Sequence, residues 1–135
     1  MVRLALSIIT LSIIASSGVV FAAETRPVVE SYACDFKSGK GVKDLNSAVK
    51  YWQGQVEKIG SKDLDGYFAV TAIPLMGRTE ADFYWFGVNP NLNQMVRGNA
   101  AYSNSKEGQS AGERFSAMST CKMNTYFLEP LYSWY

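Results

Sequence analysis

Few residues in this chain of 135 have chemistry of their own. It contains two cysteines, Cys34 and Cys121, and no histidine. Without histidine there is no ordinary general base near neutrality, no usual zinc ligand and no Ser-His or Cys-His nucleophile pair. A reactive thiol is commonly activated by a CxxC motif or a histidine, and the sequence has neither. The expected role of the two cysteines is a disulfide, provided that the chain reaches an oxidising compartment.

Three other groups invite a chemical reading. Ser38-Gly39-Lys40-Gly41 precedes a helical pattern and could present backbone N–H groups and a lysine to an anion, but it lacks the GxxxxGK[ST] spacing of a phosphate loop. Asp63 and Asp65 flank Leu64 in a polar turn, too few oxygen ligands for a calcium loop, so a solvated turn is expected. The run DFYWFGVNP, Asp82 to Pro90, places four aromatic side chains in a row. In a strand these alternate, Phe83 and Trp85 on one face and Tyr84 and Phe86 on the other.

The elements that must position these residues follow from periodicity. Val28 to Phe36 is β-rich and bounded by Pro27 and the Ser38–Gly41 loop, which makes it a first strand. Val42, Leu45, Val49, Trp52, Val56 and Ile59 recur at threes and fours and form one apolar stripe on a helix that Gly60 ends. Trp52 on that stripe is expected in the core. Gly66 to Met76 reads as a second strand with Pro74 near its end, and the aromatic run is the third. Asn89-Pro90 reads as the cap and first residue of a helix reaching about Tyr102, followed by a polar break over Ser103 to Gly108. Ser110 and Glu113 have capping-box spacing for a short further helix to about Thr120, and Cys121 to Glu129 is the last strand.

The order is β-α-β-β-α-β with the second crossover helix broken in two, an α+β ferredoxin-like pattern with helices on one face of an antiparallel sheet. Its strand order, 4-1-3-2, sets the first and last strands side by side. Cys34 and Cys121 then meet, in agreement with a disulfide. Val28, Glu30, Tyr32 and Phe36 share the face of Cys34, and Met123, Thr125 and Phe127 that of Cys121.

This layout resembles the dimeric α/β-barrel superfamily, ferredoxin-like domains whose sheets pack face to face. TAIPLM followed by DFYWFGVNPN, a helix and a terminal cysteine-bearing strand also resembles small exported proteins of uncharacterised role. The resemblance implies a homodimer, and through the superfamily's oxygenases it admits an enzyme acting on phenolic or quinol-type compounds or on haem. Tyr32, Tyr67, Asn124 and Trp85 would line such a site, although a haem iron would lack its usual histidine. It carries over no catalytic residue.

The start of the chain, MVRLALSIITLSIIASSGVVFAAE, has one basic residue, an apolar run and small residues at Val20 and Ala22. That is the pattern of a signal peptide cut after Ala22; the alternative is an uncleaved anchor, since the apolar run could just span a bilayer. Removing 22 of 135 residues leaves 113, one domain with one core. Of the 13 basic residues the leader takes only Arg3, so the mature chain is neutral against 12 acidic ones. Nothing electrostatic calls for nucleic acid or an anionic membrane, and the expected location is secreted or periplasmic, with no stable membrane insertion after cleavage. At the other end LYSWY alternates aromatics and is expected to pack on a sheet edge or a partner.

The second and third strands are apolar on both faces, more than a soluble monomer commonly exposes. The expectation is therefore a homodimer, with a small apolar or aromatic ligand held against the sheet and no cofactor. Tyr32, Tyr67, Thr71, Tyr84 and Trp85 are the candidate ligand-binding residues. A structural or interaction module of the cell envelope is the remaining class.

Overall fold

The computed structural model describes residues 25–77 and 79–128. The expected leader 1–22, Arg78 and the C-terminal LYSWY lie outside them. Strands β1 (Val28–Phe36), β2 (Phe68–Ala72), β3 (Phe83–Asn89) and β4 (Ser119–Phe127) form one antiparallel sheet in the order β2-β3-β1-β4. Helices α1 (Val42–Ile59), α2 (Leu92–Asn104) and α3 (Lys106–Met118) complete it, with a 3-10 turn at Lys62–Leu64. This is the ferredoxin-like α+β fold that the pattern implied.

Local chemistry explains most boundaries. Gly60 ends α1 in the left-handed region at φ 57, where a side chain would be strained. At the helix start Asp44 accepts the Gly41 N–H at 3.2 Å and pairs with Lys40 at 3.3 Å. That hydrogen-bonded lysine holds the Asp44 carboxyl below the usual range. The groups that might have held an anion in the Ser38–Gly41 loop therefore already have a carboxylate of the chain itself.

Four boundaries differ from the sequence expectation. β2 stops at Ala72, not Met76, because Pro74 has no N–H for the ladder and restricts the residue before it. Asn89 is not a cap: it is the last residue of β3, paired with Val28, and Asn91 caps α2 by accepting the Gln94 N–H at 2.8 Å. The polar stretch Ser103 to Gly108 is a cap, not a gap. Ser105 accepts the Gly108 N–H at 2.9 Å and starts α3 at Lys106, so the Ser110–Glu113 spacing falls inside the helix. β4 begins at Ser119, two residues early, because Ser119 and Thr120 still pair with Phe36 and Asp35.

The sheet registers sort every strand residue onto a face. Val28, Glu30, Tyr32, Cys34 and Phe36 of β1 look toward the helices with Phe83, Trp85, Gly87 and Asn89 of β3. Cys34 lies directly opposite Cys121, and the two are joined as a disulfide with Cα atoms 4.1 Å apart and a sequence separation of 87. Around it Leu45, Ala48, Phe83 and Met118 are buried, with Phe36 stacked on Phe83 at 4.9 Å. The core thus clusters at the disulfide end of the sheet. Val28, Glu30 and Asn89 toward the other end are buried as well.

Among the described residues no helix covers the opposite sheet face. Phe68, Val70 and Ala72 of β2 lie beside Val88, Phe86 and Tyr84 of β3, then Val29 and Ala33 of β1 and Tyr126 of β4. Tyr84 and Phe86 stack at 6.1 Å, while Phe68 is 59% exposed and Tyr126 53% exposed. Nearby, Leu75 and Met76 of the β2–β3 connection are also almost wholly exposed.

Candidate functional site

Where the helices part from the sheet there is a cavity of about 420 Å³. Its floor is the helix-facing side of β1, β3 and β4, and its roof is α1, α2, α3 and the 3-10 turn. Tyr32 and Glu30 rise from β1, Trp85 and Asn89 from β3, and Met123 from β4. Above them lie Trp52 and Val56 of α1, Asn99 and Tyr102 of α2, and Phe115 of α3. Met123 is 56% exposed, which puts the mouth of the cavity toward the β4 edge.

Local sequence places each wall. Trp52 stands on Trp85 edge to face, with centroids 4.9 Å apart, and Trp85 meets Phe115 in the same manner at 5.5 Å. Such arrangements match the positive ring edge to the negative ring face. Tyr67 precedes β2 and lays its ring across Gly87. A Cβ at Gly87 would come within 2.9 Å of two ring carbons, so the missing side chain makes the space that Tyr67 occupies. The Tyr67 hydroxyl accepts the Trp85 Nε1–H at 3.2 Å.

The 3-10 turn is pinned to α2. Gln94 donates to the Asp63 carbonyl at 2.8 Å, Arg97 pairs with Asp63 at 2.9 Å, and Gly98 allows the turn to approach the helix closely. Asp63 therefore anchors this corner of the roof. Among the described residues no three His, Cys, Asp or Glu side chains are grouped to hold a metal.

The polar centre of the cavity is Glu30, only 4% exposed. Its two oxygens accept hydrogen bonds from Asn89 Nδ2 at 3.2 Å and Asn99 Nδ2 at 2.9 Å. Among the described residues no lysine or arginine lines the cavity. Burial and the nearby Glu30 carboxylate push the Tyr32 phenol up to about 12. Tyr67 also reaches about 12, mainly through burial, against the opposing effect of the Trp85 N–H. Tyr102 is raised by burial. At neutral pH all three phenols are uncharged and able to donate hydrogen bonds.

These shifts have a consequence for stability. An unfolded tyrosine ionises near 10, whereas folded Tyr32 and Tyr67 hold their protons to about 12. Between these values the folded chain binds more protons than the unfolded one, so stability is full below pH 10 and falls as pH rises toward 12. A spectrophotometric titration at alkaline pH is expected to show phenols ionising in a late step, with denaturant midpoints falling over the same window. All eight tyrosines ionising together near pH 10, with unchanged midpoints, would contradict this arrangement.

Of the five residues singled out from sequence, the cavity brings together Tyr32, Tyr67 and Trp85. Tyr84 stands on the opposite face of the sheet. Thr71 shares the face of Trp85 but sits on the edge strand, exposed and outside the cavity. Asn124 also lies on the far face, with Ser31. Trp52, expected in the core, is a wall of the cavity and only partly buried. Glu30, Asn89 and Asn99 had no assigned role. The one sequence signal for them was a glutamate in the apolar alternation of the first strand.

No family model and no curated protein matches the chain. Solved structures do. A dimeric ferredoxin-like protein of unknown function from Thermobifida fusca superposes with a TM-score of 0.56 at 10% identity, covering 79% of this chain and 95% of that one. SnoaB, a cofactor-independent oxygenase from Streptomyces nogalater, gives 0.54 at 8% identity over 77% and 94%. A hydroxynitrile lyase from Passiflora edulis gives 0.54 at 12% identity over 81% and 99%. At such identities the likeness concerns the fold, and the chain has the ferredoxin-like α+β fold.

Proposed function

We propose that this protein is an exported, homodimeric small-molecule-binding domain whose ligand, with an apolar or aromatic body, occupies the cavity between sheet and helices. The observation that carries the reading is the cavity itself. At about 420 Å³ it falls within the size range of small-molecule sites, and it has aromatic walls around a few convergent polar groups. Tyr32, Tyr67 and Trp85 are the proposed contacts from the sheet side, with Trp52 opposite. The bare sheet face supports the homodimer, as does the dimeric state of the Thermobifida protein of the same fold. Export is supported by the disulfide and by the leader-like first 22 residues. Among the described residues no helix is long and apolar enough to cross a membrane.

Thermal-shift and tryptophan-fluorescence titration with aromatic compounds tests the binding reading. Ligands are expected to raise the melting temperature and to perturb the emission of Trp52 and Trp85. Replacing Trp85 by Ala is expected to weaken binding roughly tenfold or more, the scale of losing one buried aromatic contact. No response from a broad aromatic set, together with native mass spectra free of retained ligand, would remove the basis for a binding protein.

A second reading is an enzyme of the cofactor-independent oxygenase type using the same cavity. Buried Glu30, within an aromatic chamber, favours it as a proton acceptor. Oxygen uptake with quinols by the pure protein would support it, and quinols staying reduced would not.

A further inference from the structure

The cavity described above is aromatic in its walls but not neutral in its centre. Glu30 is 96% buried, its two oxygens accept from two side-chain amides, and those amides carry no charge. The ion pairs among the described residues, Lys40–Asp44 and Arg97–Asp63, lie elsewhere. Among the described residues no lysine or arginine lines the cavity beside the carboxylate. A buried carboxylate without a counter-charge is costly, and two hydrogen bonds use about half of its acceptor capacity. The remaining capacity faces the space that an occupant fills.

From this geometry we infer that the occupant is an organic cation, an arylalkyl amine in its ammonium form. Its N–H groups donate to Glu30, and its ring lies among Trp52, Trp85 and Tyr67. The inference rests on the binding reading and specifies the chemistry of the ligand head. Three features of the site agree. An ammonium donates charge-assisted hydrogen bonds to the free lone pairs of Glu30. The indoles and phenols offer ring faces that attract a cation. The cavity offers an anion only uncharged donors, and places it beside a carboxylate that repels it. A neutral alcohol can occupy the same space but leaves the buried charge uncompensated.

The test uses three probes of one shape on the mature, disulfide-bonded protein. These are tryptamine, the corresponding indole-ethanol, and indole-3-acetate, each followed by isothermal titration calorimetry. The ammonium is expected to bind roughly 10- to 100-fold more tightly than the alcohol, the span of one to two charge-assisted contacts, with the carboxylate weakest. Glu30→Gln is expected to lower the affinity for the ammonium to that for the alcohol or below, removing the preference. Alcohol and ammonium binding equally to the natural protein would overturn the cation inference and leave the binding cavity standing. The same holds if the carboxylate binds best, or if Glu30→Gln folds and keeps the preference. Failure of all three probes, with other aromatic compounds also silent in thermal shift, would overturn the binding reading and this inference with it. Because the three probes are first compared on the natural protein, the result does not depend on whether the variant folds.

Discussion

Opening the Cys34–Cys121 bridge, by reductant or by replacing both cysteines with Ala, is expected to lower unfolding free energy by about 4 to 5 kcal/mol on the chain-entropy model. The cross-link spans 87 residues, most of the expected mature chain, and the loop term grows with the logarithm of that length. The bond is also placed to matter in the folded state. Cys34 is 1% exposed and packs with Leu45, Ala48, Phe83 and Met118, so the bridge ties the core to the exposed strand residue Cys121. For a domain of this size the melting temperature should fall by tens of degrees, roughly 15 to 30 °C. Circular dichroism melts of the oxidised protein, the reduced protein and the double Ala variant would measure it. The reduced and Ala forms should agree; a shift of only a degree or two would mean that the bridge closes a loop already held by β1–β4 pairing.

Val70→Lys is expected to turn a dimer into a monomer without harming the fold. Val70 lies on the sheet face that carries no helix, 43% exposed in the single chain, with Phe86 opposite it on β3. A lysine there reaches water in the monomer and keeps the hydrogen-bond ladder. In a two-fold dimer packed through this face the same substitution occurs twice, and each ammonium is buried against an apolar sheet. At several kcal/mol for each unpaired buried charge, association should weaken by roughly a thousandfold or more. Light scattering coupled to size exclusion reads the mass, and circular dichroism checks the fold. A natural protein that is monomeric at all concentrations would sink the interface, and an unchanged mass for folded Val70→Lys would move it to another surface.

The same two strands show how far local pattern carries. Alternation in DFYWFGVNP correctly splits Phe83 and Trp85 from Tyr84 and Phe86, because strand geometry turns each successive residue over. Nothing in the alternation says which pair the helices cover. That depends on where α1 and α3 dock, and they cover Phe83 fully and Trp85 in part. Trp52 illustrates the complementary limit. Its spacing places it on the inward stripe of α1, yet the inward side holds both the core around Leu45 and the cavity beyond Val49. Helical periodicity gives direction from the axis, not the depth at which a neighbour is met. Caps were misplaced for a related reason. Asn89 and Asn91 are equivalent as local capping residues, and only pairing with Val28 keeps Asn89 in the sheet.

The sequence by itself therefore determined the element order, the ferredoxin-like topology, the pairing of Cys34 with Cys121 and the two apolar faces of the central strands. These follow from residue-to-residue periodicity, from Gly and Pro punctuation, and from the antiparallel neighbourhood that one topology imposes. The tertiary structure alone decided that a cavity opens between the helices and the sheet. It also decided that Glu30, Asn89 and Asn99, separated by up to 69 residues, meet inside the resulting space. A glutamate on a strand has the same local signature whether it faces water or an aromatic chamber. Its burial, its amide partners and its lack of a cation are properties of the packed molecule.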